Sequence, residues 1–220
     1  MNVTYEQIKN NAEIRTYITQ ADRSLSALGY TEHSFAHVTK CAETASALLK
    51  ELGHGEREVE LAKIAGFMHD IGNVINRNDH AQTGAVMAFR ILDKLGMEPA
   101  DVATVITAIG YHDDETAFPV NAVAAALLLA DKTDVRRSRV RNKETLAFDI
   151  HDRVNYAVER SELKLAASAQ TVTLTLAINT EVCAVMDYFE IFLDRMLLCR
   201  KAAEALGLTF KLDINGLTLL

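Results

Sequence analysis

Proline is almost missing from this chain of 220 residues, which holds two, and glycine is sparse at ten. That scarcity disfavours disorder and favours helices. Cysteine is scarce as well: Cys41, Cys183 and Cys199 are odd in number and widely separated. They fit neither a disulfide framework nor a zinc finger and read as reduced core thiols of a cytoplasmic protein. No apolar run reaches bilayer-spanning length, and the opening MNVTYEQIKN lacks the hydrophobic region of a signal peptide, so no membrane partner is expected. Positive charge is in deficit. The 23 Lys and Arg against 30 Asp and Glu leave a net charge of −7, which argues against nucleic acid or an acidic membrane as a partner. Repeats and low-complexity segments are absent.

What the chain has is apolar periodicity, with 49% hydrophobic residues to fill a core. Thr4 and Gln7 form a capping-box pattern and predict a helix to about Gln20. Val38, Cys41, Ala42, Ala45, Leu48, Leu49 and Leu52 stripe a second helix over 34–52, which GHG at Gly53 to Gly55 ends. Leu61, Ile64, Ala65, Met68 and Ile71 stripe a third, in LAKIAGFMHDIGN, where Gly66 permits a close approach. Further helices are expected from His80 to Gly96 and from Pro99 to about Ile109. Another follows Asn121, in AVAAALLLADKTD; it is apolar all round and therefore central. After Asp131 the pattern changes. VNYAVERSELKL and TVTLTLAIN alternate as strands, a long helix runs over 180–206, and TFKLDINGLTLL reads as a strand with a turn at Asn215-Gly216. The expected fold is mainly α: a helical domain over 1–142, then a small α+β unit with an antiparallel sheet over 143–220. The apolar complement of the long helix, with Tyr188, Phe189 and Phe192, also suggests a homodimer.

Polar residues interrupt the apolar faces at particular points. In chain order they are His37, the pair His69-Asp70, His80, His112 and Asp131, each on or at the end of an expected helix. Packed helices can bring such side chains to a common centre. Imidazoles and carboxylates that are costly to bury alone suit a divalent metal, and a carboxylate can bridge two ions. Four arginines follow in DVRRSRVRN; Arg136, Arg137, Arg139 and Arg141 could bind phosphate in bidentate fashion. Their bland reading is a solvated or salt-bridged connection. A second pair, His151-Asp152, lacks an apolar helix context and reads as structural or pocket-lining.

This order resembles the HD-domain superfamily of metal-dependent phosphohydrolases. HVTKCAETA, GFMHDIGN and LLLADKTD carry the H…HD…D pattern as His37, His69, Asp70 and Asp131, over about 31–134. His80 in HAQTGA and His112 in GYHDDE are similar to the two-metal branches. The resemblance implies a mostly helical domain with one or two divalent ions, iron, manganese or magnesium. His33, one turn before His37, is an additional candidate ligand. Two departures stand out. Asn73 occupies a position where many relatives carry lysine, and asparagine brings no charge. TAFPVN follows YHDDE, so the GYP signature of the cyclic-dinucleotide enzymes is absent.

The function so implied is hydrolysis of a phosphoester, with a nucleotide or another small molecule as substrate, through a metal-activated hydroxide. His37, His69, Asp70 and Asp131 would hold the first metal, and Asp70 would bridge to a second on His80 and His112. Lys132 or an arginine among Arg136, Arg137 and Arg139 would supply the positive group that Asn73 does not. Two other readings come from different classes: a regulatory or ligand-binding HD module without robust turnover, and a di-iron oxygenase built on the same ligands.

Overall fold

A computed structural model describes residues 3–113, 117–141 and 150–219. The chain begins with α1 (Tyr5–Asn10) and α2 (Ala12–Ala27). Thr4 closes the expected capping box with Gln7. The single helix expected there is instead two: Asn11 turns extended, and its side chain accepts from the Ile14 amide to start α2, as a short polar side chain at an N-cap does. Then come α3 (Phe35–Glu51), α4 (Glu56–Met68), a 3₁₀ turn (Ile71–Val74), α5 (His80–Lys94), α6 (Pro99–Gly110) and α7 (Ala122–Lys132). The boundary expected at 142/143 lies outside the described residues.

Gly66 lets α4 close on α3: a Cβ there would lie 2.6 Å from the Ala42 Cα. Helix α7 shows why its sequence is apolar on every side. Ala124, Ala126, Leu127 and Ala130 belong to the core of the helical bundle. Ala125, Leu128 and Leu129 belong to a second core, with Leu174, Leu176, Phe192, Met196 and Leu212. One helix thus serves two cores and has no solvent face to make polar.

The second core is the C-terminal unit: α8 (Ile150–Ala157), β1 (Val158–Ala166), β2 (Thr171–Ile178), α9 (Val185–Ala205), β3 (Thr209–Ile214) and β4 (Leu217–Thr218). The strands lie in chain order, mostly antiparallel. Leu163 faces Leu174 across β1–β2, and Leu217 faces Ile214 across β3–β4. The middle pair, β2 and β3, runs parallel with Leu174 beside Leu212, because the crossover α9 returns the chain to the same end. The alternation expected from Val154 starts later, at Val158. Residues 154–157 complete α8, where Ile150, Val154 and Ala157 repeat at helical spacing and the Asn155 amide donates to the His151 carbonyl. Helix α9 starts at Val185 rather than near 180, after a turn in which the Asn179 side chain accepts from the Glu181 amide. Among the described residues no helix is long and apolar enough to cross a membrane.

Candidate metal centre

Five helical segments deliver the polar residues to one buried point. His37 comes from the first turn of α3, His69 and Asp70 from the end of α4, His80 from the first residue of α5, His112 from just beyond α6, and Asp131 from the last turn of α7. The four histidines are at most 1% exposed, so their polar atoms depend on one another.

The ring orientations are fixed from outside. The His69 Nδ1 donates to the Gly66 carbonyl (2.8 Å), His80 Nδ1 to the Arg77 carbonyl (2.9 Å) and His112 Nδ1 to the Ile109 carbonyl (2.6 Å). The His37 Nδ1 donates to Asp134 Oδ2 at 2.8 Å. Carbonyls and carboxylates only accept, so each Nδ1 carries a proton, and in the neutral ring each Nε2 presents a lone pair. This outer support is what metal-binding histidines ordinarily have.

All four Nε2 atoms turn inward toward carboxylate oxygens. His37 Nε2 is 3.3 Å from Asp131 Oδ1 and 3.6 Å from Asp70 Oδ2. His69 Nε2 is 3.2 Å from Asp70 Oδ2 and 3.8 Å from Asp131 Oδ1. His80 and His112 approach Asp70 Oδ1 at 3.5 and 3.8 Å, and their own Nε2 atoms face each other at 3.2 Å. His69 Nε2 and Asp70 Oδ2 are buried without a hydrogen-bond partner. Lone pairs pressed together in a dry site repel unless a cation or proton lies between them. The donor set therefore fits one or two divalent ions, nitrogen and oxygen donors in the mixture that iron, manganese or zinc accepts.

The electrostatics agree. In the metal-free chain a proton takes the cation's place. Burial resists ionisation of Asp70, but the charge on His69 and hydrogen bonds from His112 and His69 outweigh it and hold the carboxyl well below the usual range. Asp70 in turn raises His69 against the effect of burial. Burial also resists at Asp131, where Lys132 and His37 win. Burial depresses His80 to about 4, so it stays neutral and able to bind metal near pH 7. Cys41 Sγ lies 3.7 Å from the His37 ring nitrogens. Burial and the Asp131 charge push its thiol up, which disfavours the thiolate that a metal would need.

The other expected site residues divide. His33 lies beside the cluster, edge to face with the His37 ring at 5.5 Å, its Nδ1 bonded to the Thr31 carbonyl. Lys132 Nζ grips Asp131 Oδ2 at 2.9 Å, leaving Oδ1 for the histidines. A cavity of about 380 Å³ opens next to the donors, lined by Asp70, His80, His112, Asp131 and Lys132 from the bundle and by His151, Asp152, Asn155 and Arg195 from the C-terminal unit. Arg139 lines it too, though its Nε and NH1 donate to the carbonyls of Glu32 and Asp134. Arg136 and Arg137 lie elsewhere. Asp134 captures Arg136 through two bonds of 2.6 and 3.0 Å, and Arg137 is held by the Tyr156 carbonyl and Glu159. Arg141 pairs with Asp22.

Sequence reasoning passed over two residues, Asp134 and Arg77. Asp134 is 2% exposed and is partnered by His37, Lys40 and Arg136. Burial resists its ionisation, but His37 and Arg136 hold its carboxyl below the usual range. The one available signal was a second acid three residues after Asp131, nearly one helical turn on, in DKTD.

The fold and centre thus define a helical protein with a histidine–aspartate metal site. Residues 34–156 match the model of the HD domain. The chain belongs to the HD domain family, as its motifs led one to expect. It is similar to an uncharacterised protein of Methanocaldococcus jannaschii, 23% identical over 73% of this chain and 70% of that one. It is also similar to a Ribonuclease Y of Deinococcus radiodurans, 33% identical over 53% of this chain but only 20% of the other protein. Among solved structures, a protein described as an HD superfamily hydrolase from an uncultured Thermotogales bacterium matches with 25% identity, covering 60% of this chain and 73% of that one at a TM-score of 0.46.

Proposed function

We propose that this chain is a metal-dependent phosphohydrolase acting on a small phosphoester, with a nucleotide as the class to test first. The ions would be held by His37, His69, Asp70, His80, His112 and Asp131. The observation that carries the reading is the convergence of four Nε2 lone pairs on two carboxylates, with Asp70 between the two histidine groups. Divalent ions, when bound, would acidify water and polarise a phosphoryl oxygen.

The chain's own residues do the rest. Asp70 offers one oxygen to each histidine group and so is placed to bridge. Lys132 fixes which oxygen of Asp131 faces inward. Arg139 and Arg195 add positive charge to the cavity wall, which favours an anionic substrate. A cavity of about 380 Å³ suits a small molecule. The relative named Ribonuclease Y makes a phosphodiester worth testing, while the cavity's size and a net charge of −7 favour a nucleotide over an RNA chain.

The test is turnover of nitrophenyl phosphate mono- and diesters and of nucleotides by protein loaded with manganese or iron. Hydrolysis should require metal and vanish in Asp70→Ala together with bound metal. Stoichiometric metal without hydrolysis of any phosphoester would overturn the reading. Oxygen uptake by the iron-loaded protein would then identify the oxygenase alternative, and silence in both assays the regulatory module.

A further inference from the structure

The cavity wall holds a cation placed unlike the others. Arg77 stands in the polar loop between the 3₁₀ turn and α5, is half-buried, and lines the cavity. Its NH1 donates to Asn73 Oδ1 at 3.2 Å and lies 3.3 Å from His80 Nε2. The Tyr30 ring, also on the cavity wall, is 5.7 Å from the guanidinium carbon, within the range of a cation–π contact.

Asn73 determines this placement. It is 2% exposed, and its Nδ2 donates both to the Asp70 carbonyl (3.0 Å) and to Asp70 Oδ1 (2.9 Å). With the NH₂ group directed to Asp70, the amide oxygen must face Arg77 and accept from it. A chain of hydrogen bonds therefore runs from the central carboxylate through Asn73 to a permanently charged group at the cavity. Lys132 is tied to a carboxylate, and Arg139 donates to two backbone carbonyls with the buried Asp134 carboxylate 3.8 Å from its NH1. Arg77 instead bonds to an amide oxygen and an imidazole nitrogen, both neutral acceptors, so these partners leave its charge in place. The imidazole contact is also exchangeable. A metal and an N–H compete for the same His80 lone pair, so metal binding would turn that N–H toward the cavity.

We propose that Arg77, oriented by Asn73 and backed by Tyr30, is the residue that anchors the phosphoryl oxygens of the substrate. A planar guanidinium with several donors matches phosphate geometry. This inference rests on the phosphohydrolase reading, and its test can fail separately from it.

The experiment is calorimetric titration of inorganic phosphate into the full manganese-loaded chain, with metal content measured in parallel, for the wild type, Arg77→Met and Arg77→Lys. Arg77→Met should weaken phosphate binding by about 10- to 100-fold, the range of a charged hydrogen-bonding pair, with metal content unchanged. Arg77→Lys should recover part of the loss, because it restores charge but not the planar fork. In turnover the Met variant should raise KM more than it lowers kcat. Phosphate binding equal in wild type and Arg77→Met, or absent from both, would overturn the proposal. So would loss of metal in the Met variant, since Arg77 would then be a prop for His80. If phosphate binding depends on Arg77 but no phosphoester is hydrolysed, the anion anchor stands and the phosphohydrolase reading falls. Hydrolysis with unchanged KM in Arg77→Met would give the reverse.

Discussion

The two halves of the centre are built differently. His37, His69 and Asp131 are backed by fixed partners: Asp134 behind His37, the Gly66 carbonyl behind His69 and Lys132 behind Asp131. His80 and His112, like His69, are backed by carbonyls of their own segments, with the Asp113 carboxylate 3.9 Å from His80 Nδ1, and their Nε2 atoms oppose each other at 3.2 Å. The Asp70 carboxylate reaches both halves, and the His69 ring also meets His112 edge to face at 4.9 Å. The first half has opposite charges to keep its shape, whereas the second sets lone pair against lone pair and gains most from a cation. On this view the first half should bind its ion more tightly, and the second should fill and empty more easily.

The largest effect should come from removing what the halves share. Asp70→Ala should abolish metal binding in both, as elemental analysis of the purified variant would show; retention of a full metal complement would break the comparison. Next, Asp134→Asn should weaken the first half without touching a donor atom. Loss of the carboxylate behind His37 should reduce metal affinity by about 10- to 100-fold, the usual cost of a lost outer partner of a metal-binding histidine. His80→Ala should be milder, with one ion fewer per chain and the tighter ion retained. Equal loss from both halves in that variant would show that they are not separable.

The smallest effect concerns acid. Burial lowers His80 to about 4 in the folded chain from 6.5. The unfolded chain therefore takes up this proton first as pH falls. Its contribution to the stability of the metal-free protein is complete above about 6.5 and is lost as pH falls toward about 4. Asp70, Asp131 and Asp134 are also shifted down, so their contributions last to lower pH. Thermal denaturation of metal-free protein between pH 7 and 4.5 should show a decline that is shallower in His80→Asn. An unchanged slope in that variant would assign the decline to other groups.

Much of this was legible in the sequence, for physical reasons that differ by residue. His37 and His112 lay on or beside apolar stripes, and His69, Asp70, His80 and Asp131 at helix ends; their joint order, matching the H…HD…D pattern, marked them where no single residue did. Arg77 and Asp134 interrupted no stripe. Arg77 sat in a polar loop, and Asp134 owes its role to His37, 97 residues away, a contact that no local pattern encodes. The arginine run divides for a related reason: charge is visible in sequence, but its partners are not, and Asp134 and Glu159 hold Arg136 and Arg137 while Arg139 lines the cavity. Residues 154–157 satisfied both a period of two and a helical period, and packing chose the helix.

Gly72 carries a consequence for how such a centre can be retuned. A Cβ at this position would collide with the His80 carbonyl oxygen and lie 2.5 Å from the Gly84 nitrogen. The 3₁₀ turn after Asp70 therefore rests peptide against peptide on the start of α5. The bite between Asp70 and His80 is gauged by main-chain thickness, not by any rotamer. Side-chain substitutions around the site can change what it binds, but the span between its two halves stays calibrated while a hydrogen atom remains at residue 72.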